Sequence, residues 1–294
     1  GEAKRAMSLD TQMVTNLAEA MTYSPIFKDR LYAFDSPYAR YLAINMDTGK
    51  DVNVRKAIQC AVNLETVLLA AGGTYAGAYS NSLIPTSLKN AYRNFNVCGR
   101  DVHKSPEGQT DAAKALLAKS PNAKKDLILA YRDKGTEPAR AAAVQQALLA
   151  AGFKVTMMKL DRAGYYTRIG QRDVGVVQPD VIQTSWGFDW AAASGIVPAL
   201  LDGRTMSPTD SHSNYSRQNE PSMQSLFEKA DMITDALKSD KALGDLEQKI
   251  IVDFAGIVPM YIEASTFMTG SKLGGVQADG GYGTLSPLAA FVRK

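Results

Sequence analysis

Cysteine, histidine and tryptophan each occur only twice in 294 residues, and each scarcity removes a class of chemistry. Cys60 and Cys98 are too few for a metal site of their own and too widely spaced for a redox pair. One structural disulfide in an exported protein and two unrelated thiols both fit them. His103 and His212 lie in polar, loop-like stretches without a partner nearby in sequence, so exposed loop side chains are expected rather than a triad or a zinc centre. The nucleophile elbow G-x-S-x-G, S-x-x-K, H-E-x-x-H and the P-loop are all missing. Asp231 and Asp235 sit four residues apart, a spacing that more often marks a solvated helix face than an acid–base pair. The sequence therefore predicts no enzyme, no cofactor and no metal.

Charge of one sign is lacking too. The 33 basic and 30 acidic residues give a net charge of +3, and the basic ones are scattered without interleaved aromatics, which argues against a nucleic-acid partner. No apolar run approaches the roughly 20 residues needed to span a bilayer. The first residues, Gly1 to Arg5, lack the apolar core of a signal peptide.

What is present is an alternation of helical and strand-like segments. Leu9 to Met21 has helical apolar spacing. Arg30 to Phe34 and Tyr41 to Asn45 read as two strands punctuated by Ser36-Pro37. Asn53 to Val62 is amphipathic, with Val54, Ala57, Ile58, Ala61 and Val62 as its stripe. A second helix, Leu64 to Ala71, is opened by Asn63 and stopped by Gly72-Gly73. An irregular stretch from Thr74 to Thr110 follows. Then Asp126 to Tyr131, a helix between Thr136 and Gly152, and Lys154 to Leu160 predict a right-handed βαβ unit with parallel strands. Arg162 to Gly170 and Gly195 to Leu201 read as short helices, and Asp202 to Glu220 as a polar loop. Pro221 to Ala236 and Asp240 to Phe254 read as amphipathic helices, and Ile257 to Ile262 as a strand. The glycine-rich 270–283 segment has no dinucleotide-binding spacing and reads as turns, and Leu285 to Val292 closes the chain. The pattern indicates an α/β domain.

Both tryptophans fall in Val181-Ile182-Gln183-Thr184-Ser185-Trp186-Gly187-Phe188-Asp189-Trp190. An apolar strand ends there in an indole, a small residue and a lone carboxylate, which suits a cationic or amphipathic ligand. From spacing alone, a surface carboxylate in a turn is the favoured reading of Asp189, and Trp186 reads nearly as well as core packing.

Several segments in order resemble the family 5 extracellular solute-binding proteins, the oligopeptide and dipeptide binders of ABC importers. They are Tyr41-Leu42-Ala43-Ile44-Asn45, Val54-Arg55-Lys56-Ala57-Ile58 and Ala61-Val62-Asn63. The small-residue loop from Gly73 to Leu83-Ile84-Pro85, Ala113-Lys114-Ala115-Leu116-Leu117, Trp186-Gly187-Phe188-Asp189 and Val258-Pro259-Met260-Tyr261 then follow. The resemblance implies a type II periplasmic-binding-protein-like α/β fold, a mixed sheet flanked by helices, of which this chain holds mainly the C-terminal ligand-binding lobe. Residues 1–40 would be the end of the first-lobe region and the crossing between lobes, 41–270 the C-terminal lobe, and 271–294 a return segment. Relatives carry a long portion before the strand at Tyr41, so this chain is expected to be a piece of such a protein or one part of a split one.

The resemblance further implies solute capture by lobe closure, outside the cytoplasm, in the periplasm or as a cell-surface lipoprotein. Expected partners are a peptide or other amine-bearing ligand, a membrane permease and the missing N-terminal lobe, with the protein itself a monomer. A ligand-sensing regulatory module on the same fold is the alternative. By resemblance, Asp189 holds the ligand's ammonium group, Trp186 walls the pocket, and Ser185 to Gly187 offer main-chain hydrogen bonds. Some peptide binders have an arginine three residues before the tryptophan to meet a ligand carboxylate. Here that position is Gln183, which leaves the ligand's anionic end without its usual partner.

Overall fold

The computed structural model describes residues 25–27, 30–171, 175–207, 211–279, 284–286 and 288–292. The helix expected over Leu9 to Met21 lies outside the described residues. Six strands form one sheet in the order β2-β6-β1-β5-β3-β4. They are β1 Leu31–Ile44, β2 Gly77–Tyr79, β3 Asp126–Arg132, β4 Lys154–Leu160, β5 Val181–Gly187 and β6 Ile257–Met268. β3 runs parallel to β4 and β5, whereas β1 is antiparallel to both β5 and β6. The sheet is therefore mixed.

The two strands expected around Ser36-Pro37 are one strand. β1 continues through the proline because its register against β6 jumps there, from Asp35 opposite Ala264 to Ala39 opposite Ile262. Proline has no N–H to give to a ladder, and a bulge is where a strand tolerates it. On the N-terminal side of this irregularity, β1 and β6 run on as a two-stranded ribbon, because β5 pairs with β1 only from Tyr38 onward. A small apolar cluster of Phe267, Leu273, Val276 and Leu285 packs beside this ribbon with Tyr32 and Phe34.

Alternation along the strands sends successive side chains to two separate cores. Leu42 and Ile44 of β1, Leu127 and Leu129 of β3 and Val181 of β5 enter the first core. There they meet α1 Val52–Ala61, α2 Leu64–Ala71, α3 Thr110–Ala118 and α4 Glu137–Ala150. Tyr41, Ala43 and Ile182 point the other way, into the second core. That core is built with α5 Tyr165–Gly170, α6 Val197–Leu201, α7 Pro221–Asp231 and α8 Ala236–Lys249.

The ends of these helices follow from local chemistry. The Asp51 side chain accepts hydrogen bonds from the N–H groups of Asn53 and Val54 to open α1, and Asn63 does the same for Thr66 at the start of α2. Gly72 stops α2 at φ 124°, a conformation that costs a residue with a Cβ. α8 begins four residues earlier than its apolar pattern suggests, because Asp235 accepts from the Lys238 N–H and caps it. The chain then leaves α8 through a π-helical turn, Ile250–Phe254, and Ala255 at φ 55°.

Two polar features of the irregular regions depart from a simple loop. His212 is half-buried rather than exposed, whereas His103 is exposed and hydrogen-bonds the Tyr92 hydroxyl at 3.0 Å. In the 202–220 stretch Asn214, Ser216 and Gln218 are buried, with the Asn214 side chain accepting from Ser216 and from the Gln218 N–H. Side-chain hydrogen bonds replace a ladder in holding that loop. Cys60 of α1 and Cys98 of the 80–109 stretch form a disulfide with their Cα atoms 5.5 Å apart.

Candidate binding site at the sheet's carboxyl edge

Because β3, β4 and β5 run parallel, their carboxyl ends lie on one edge of the sheet. From that edge β3 leads into α4, which packs in the first core, while β5 leads to residues 193–197, which pack in the second. Neighbouring strands whose exits turn to opposite faces leave a crevice between them, the usual place for a ligand in an open α/β sheet.

Charged side chains from four elements converge beside this crevice. Arg132 ends β3, Glu137 begins α4, Arg140 follows one turn later, and Arg40 and Glu263 come from β1 and β6. Glu137 is buried and accepts from Arg132 Nε at 3.0 Å, with Arg40 Nη1 at 3.7 Å and Arg140 Nη2 at 3.8 Å. Arg40 turns its fork to Glu263, at 2.6 Å from Nε and 2.5 Å from Nη2. Arg140 donates from Nη1 to the Tyr261 hydroxyl at 2.7 Å, and burial raises the pKa of that phenol. A cleft of about 180 Å³ opens here, lined by Arg40, Lys134, Glu137, Arg140, Tyr261 and Glu263 among others. Burying charge is tolerable only where partners surround it. Four cations, counting Arg132 and Lys134, stand against two carboxylates, so the cluster is positive. Desolvation lowers the pKa of Lys134, and the like charges of Arg132 and Arg162 add to that.

The residues singled out from the sequence sit along the adjacent strand exit. The cross-strand register places Ser185 opposite Arg40, Trp186 opposite Ala39 and Gly187 opposite Tyr38. Ser185 is buried, its hydroxyl 3.4 Å from that of Tyr166. The Tyr38 ring lies against Gly187 so closely that a Cβ there would stand 2.8 Å from it. Trp186 is half-buried, donates from its indole N–H to the Gly195 carbonyl at 3.1 Å, and packs against the second core. Asp189 is exposed just past the strand end, and its carboxylate makes no ion pair or hydrogen bond among the described residues. Trp190 is also exposed and donates to Ser194.

Gln183 belongs to the scaffold around the first turn of α4. It is buried, its amide donates to the Glu137 carbonyl at 3.0 Å, and its own carbonyl accepts from the Tyr165 hydroxyl at 2.5 Å. Cationic side chains do stand at the neighbouring cleft, on Arg40, Lys134 and Arg140. Sequence reading missed all three. One signal was available for Arg40, an arginine placed between Ala39 and Tyr41 in an otherwise apolar strand half. Among the described residues no three His, Cys, Asp or Glu side chains converge to hold a metal ion.

The family model described as bacterial extracellular solute-binding proteins, family 5 Middle, matches residues 1–208. Solved structures share the fold at low identity. A protein described as clavulanic acid biosynthesis oligopeptide binding protein 2 superposes with a TM-score of 0.87 at 19% identity, over 97% of this chain and 52% of that one. The Escherichia coli murein tripeptide binding protein MppA gives 0.76 at 18%, over 96% and 53%. The oligopeptide-binding protein AppA from Bacillus subtilis, in complex with a nonapeptide, gives 0.75 at 14%, over 96% and 56%. The chain thus spans about half the length of these structures.

Proposed function

The chain belongs to the bacterial extracellular solute-binding proteins of family 5, and from that premise we propose that it forms the ligand-gripping lobe of a receptor. This receptor captures a peptide or another amine-bearing small molecule outside the cytoplasm and delivers it to an ABC permease. It does so without chemistry. A second lobe completes the enclosure, and the ribbon of β1 and β6 marks the crossing towards it. Ligand then stabilises the closed arrangement by contacting both lobes at once.

The observation that carries this reading is the positive cleft beside the β5 exit. It offers a place for a ligand's anionic end within reach of a strand terminus that ends in a free carboxylate. Asp189 takes the ligand's ammonium group, Trp186 forms a wall, and the main chain of Ser185 to Gly187 supplies hydrogen bonds. Arg40 and Arg140 meet the opposite end. Charge-assisted hydrogen bonds of this kind are the strong ones, more so once lobe closure removes water. The test is calorimetry on the full-length receptor with a panel of di- and tripeptides and their N-acetylated forms. Binding that requires the free amine and is lost in Asp189→Ala is the expected result. Equal affinity for free and acetylated peptides would remove Asp189 from the site.

A further inference from the structure

The charge at the cleft is larger than one ligand carboxylate can balance. Arg40, Arg132, Lys134 and Arg140 oppose only Glu137 and Glu263, which leaves two positive charges in excess. Two of the four are incompletely satisfied. Arg140 is 3% exposed, and its Nε–H has no hydrogen-bond partner although the residue lines the cleft. Native interiors rarely leave such a donor unpaired, because losing its water costs free energy that nothing returns. The Lys134 ammonium has no carboxylate partner among the described residues, and desolvation, followed by the like charges of Arg132 and Arg162, lowers its pKa.

The backbone adds to the same field. α4 is a 14-residue helix whose N-cap residue, Thr136, makes no side-chain hydrogen bond to the first turn. The Glu137 N–H donates to the Lys134 carbonyl at 3.0 Å and Pro138 has no N–H, so this end of the helix contributes its dipole, which favours negative charge there, rather than a set of free donors. The cations are also divided between elements. Arg40 stands on β1, while Lys134 and Arg140 flank the start of α4. A single compact anion would engage one side and leave the other unpaired, whereas two carboxylates on short separate arms engage both.

Resting on the reading that this crevice is the ligand site, we propose that the receptor selects a solute whose anionic end carries two carboxylates. A peptide ending in aspartate or glutamate is the simplest such solute. The α-carboxylate and the side-chain carboxylate together neutralise the excess charge, and one of them reaches the unpaired Nε–H of Arg140. Closure with such a ligand leaves no net charge in the cleft, whereas a ligand with a neutral last residue leaves one positive charge desolvated.

The experiment compares Ala-Ala-Glu, Ala-Ala-Gln and Ala-Ala-Lys by calorimetry on the full-length receptor. Glutamate and glutamine differ in charge and hardly in shape. The glutamate peptide is expected to bind at least tenfold more tightly than the glutamine one, and the lysine peptide more weakly than either. In Lys134→Gln, at an exposed position whose change leaves folding intact, the glutamate-to-glutamine ratio should fall below threefold. Arg140→Lys, which keeps the charge and removes Nε, should lower the ratio as well. Equal affinities for the glutamate and glutamine peptides, with the free amine still required, would overturn this inference and leave the proposed function standing. Failure of every peptide to bind would overturn this inference and leave the proposed function only its non-peptide, amine-bearing ligand. A tenfold preference that survives in both variants would place the acid selectivity elsewhere and overturn the assignment to this cleft.

Discussion

Glu247 of α8 and Ser82 of the irregular 80–97 segment meet in the interior, the serine hydroxyl donating to the carboxylate at 2.7 Å. The Leu83 N–H donates to the same group at 2.5 Å, and the residue is wholly buried. No cation pairs with it among the described residues. Arg93 acts only at longer range, with its Nε 2.7 Å from Asp245, and the neighbouring Tyr92 brings no charge at neutral pH. Burial pushes the carboxyl from 4.5 up to about 7.

A raised carboxyl pKa means that the ionised form is disfavoured in the folded state. The protein should therefore lose stability as pH rises from about 4.5 through about 7, and the loss should be complete above that. At about 1.4 kcal/mol per pKa unit, the effect is on the order of 3 kcal/mol. Thermal melts between pH 5 and pH 8 on wild type and Glu247→Gln should show the wild type losing several degrees relative to the variant as pH rises. Parallel curves for the two proteins would refute the burial argument.

Asp189 should separate binding from stability. Its carboxylate is exposed and unpartnered, so Asp189→Asn should move Tm by no more than about 1 °C, as surface changes away from special contacts do. Affinity for an amine-bearing ligand should fall tenfold or more in the same variant. A large loss of Tm would mean that the side chain has a structural partner, contrary to its placement.

Two glycines test how far close packing governs the fold. A Cβ at Gly244 would stand 1.9 Å from the Ala91 carbonyl oxygen, which belongs to backbone and cannot swing away. Alanine is favoured over glycine within a helix by only about 1 kcal/mol, less than the 1–3 kcal/mol typical of overpacking. Gly244→Ala should therefore destabilise in urea melts. At Gly187 the clash is with the ring of Tyr38, which is 47% exposed and free to rotate outward. Gly187→Ala should cost under about 1 kcal/mol and show its effect chiefly in ligand affinity. An equal loss of stability at both positions would contradict this distinction.

The Cys60–Cys98 bridge closes a loop 38 residues apart in sequence. Chain-entropy reasoning assigns such a loop roughly 4 kcal/mol. Thiol titration in denaturant without reductant should find none, and reduction should lower Tm substantially. Two titratable thiols in the untreated protein would show the pair to be open.

Much of the scaffold is legible in the sequence because its determinants are local. The βαβ unit from Asp126 to Leu160 announces itself through a buried-type strand, a proline in the first helical turn and a closing glycine. Asn63 and Gly72 mark the ends of α2 just as directly. What escapes is what depends on distant pairing. Ser36-Pro37 reads as a break until β6 supplies the bulge that accommodates it. The start of α8 is hidden because the apolar residues of its first turn, Ala236 and Leu237, face solvent and extend no buried stripe, and its cap, Asp235, looks like one of several surface carboxylates. His212 is drawn inward by a loop whose burial no local pattern records.

The binding cluster is the clearest case. Trp186 and Asp189 stand out because the sequence concentrates rare residue types beside one strand exit. Arg40, Arg140 and Glu263 do not, since each is an ordinary charged residue until the sheet brings them together. Arg40 and Glu263 are separated by 223 positions along the chain.

That separation bears on how the protein is made. β1 is a central strand, and its partner on one side, β6, is the last long strand among the described residues. The parallel strands between residues 126 and 187 can assemble early through contacts close in sequence, whereas β1 must wait for residues more than 200 positions away. Until then one side of β1 is an unpaired edge, the kind of surface that recruits strands from other chains. A synthesis halted before Ile257 would yield a species with that edge exposed and Glu263 absent, prone to aggregate and unable to complete its ligand cleft.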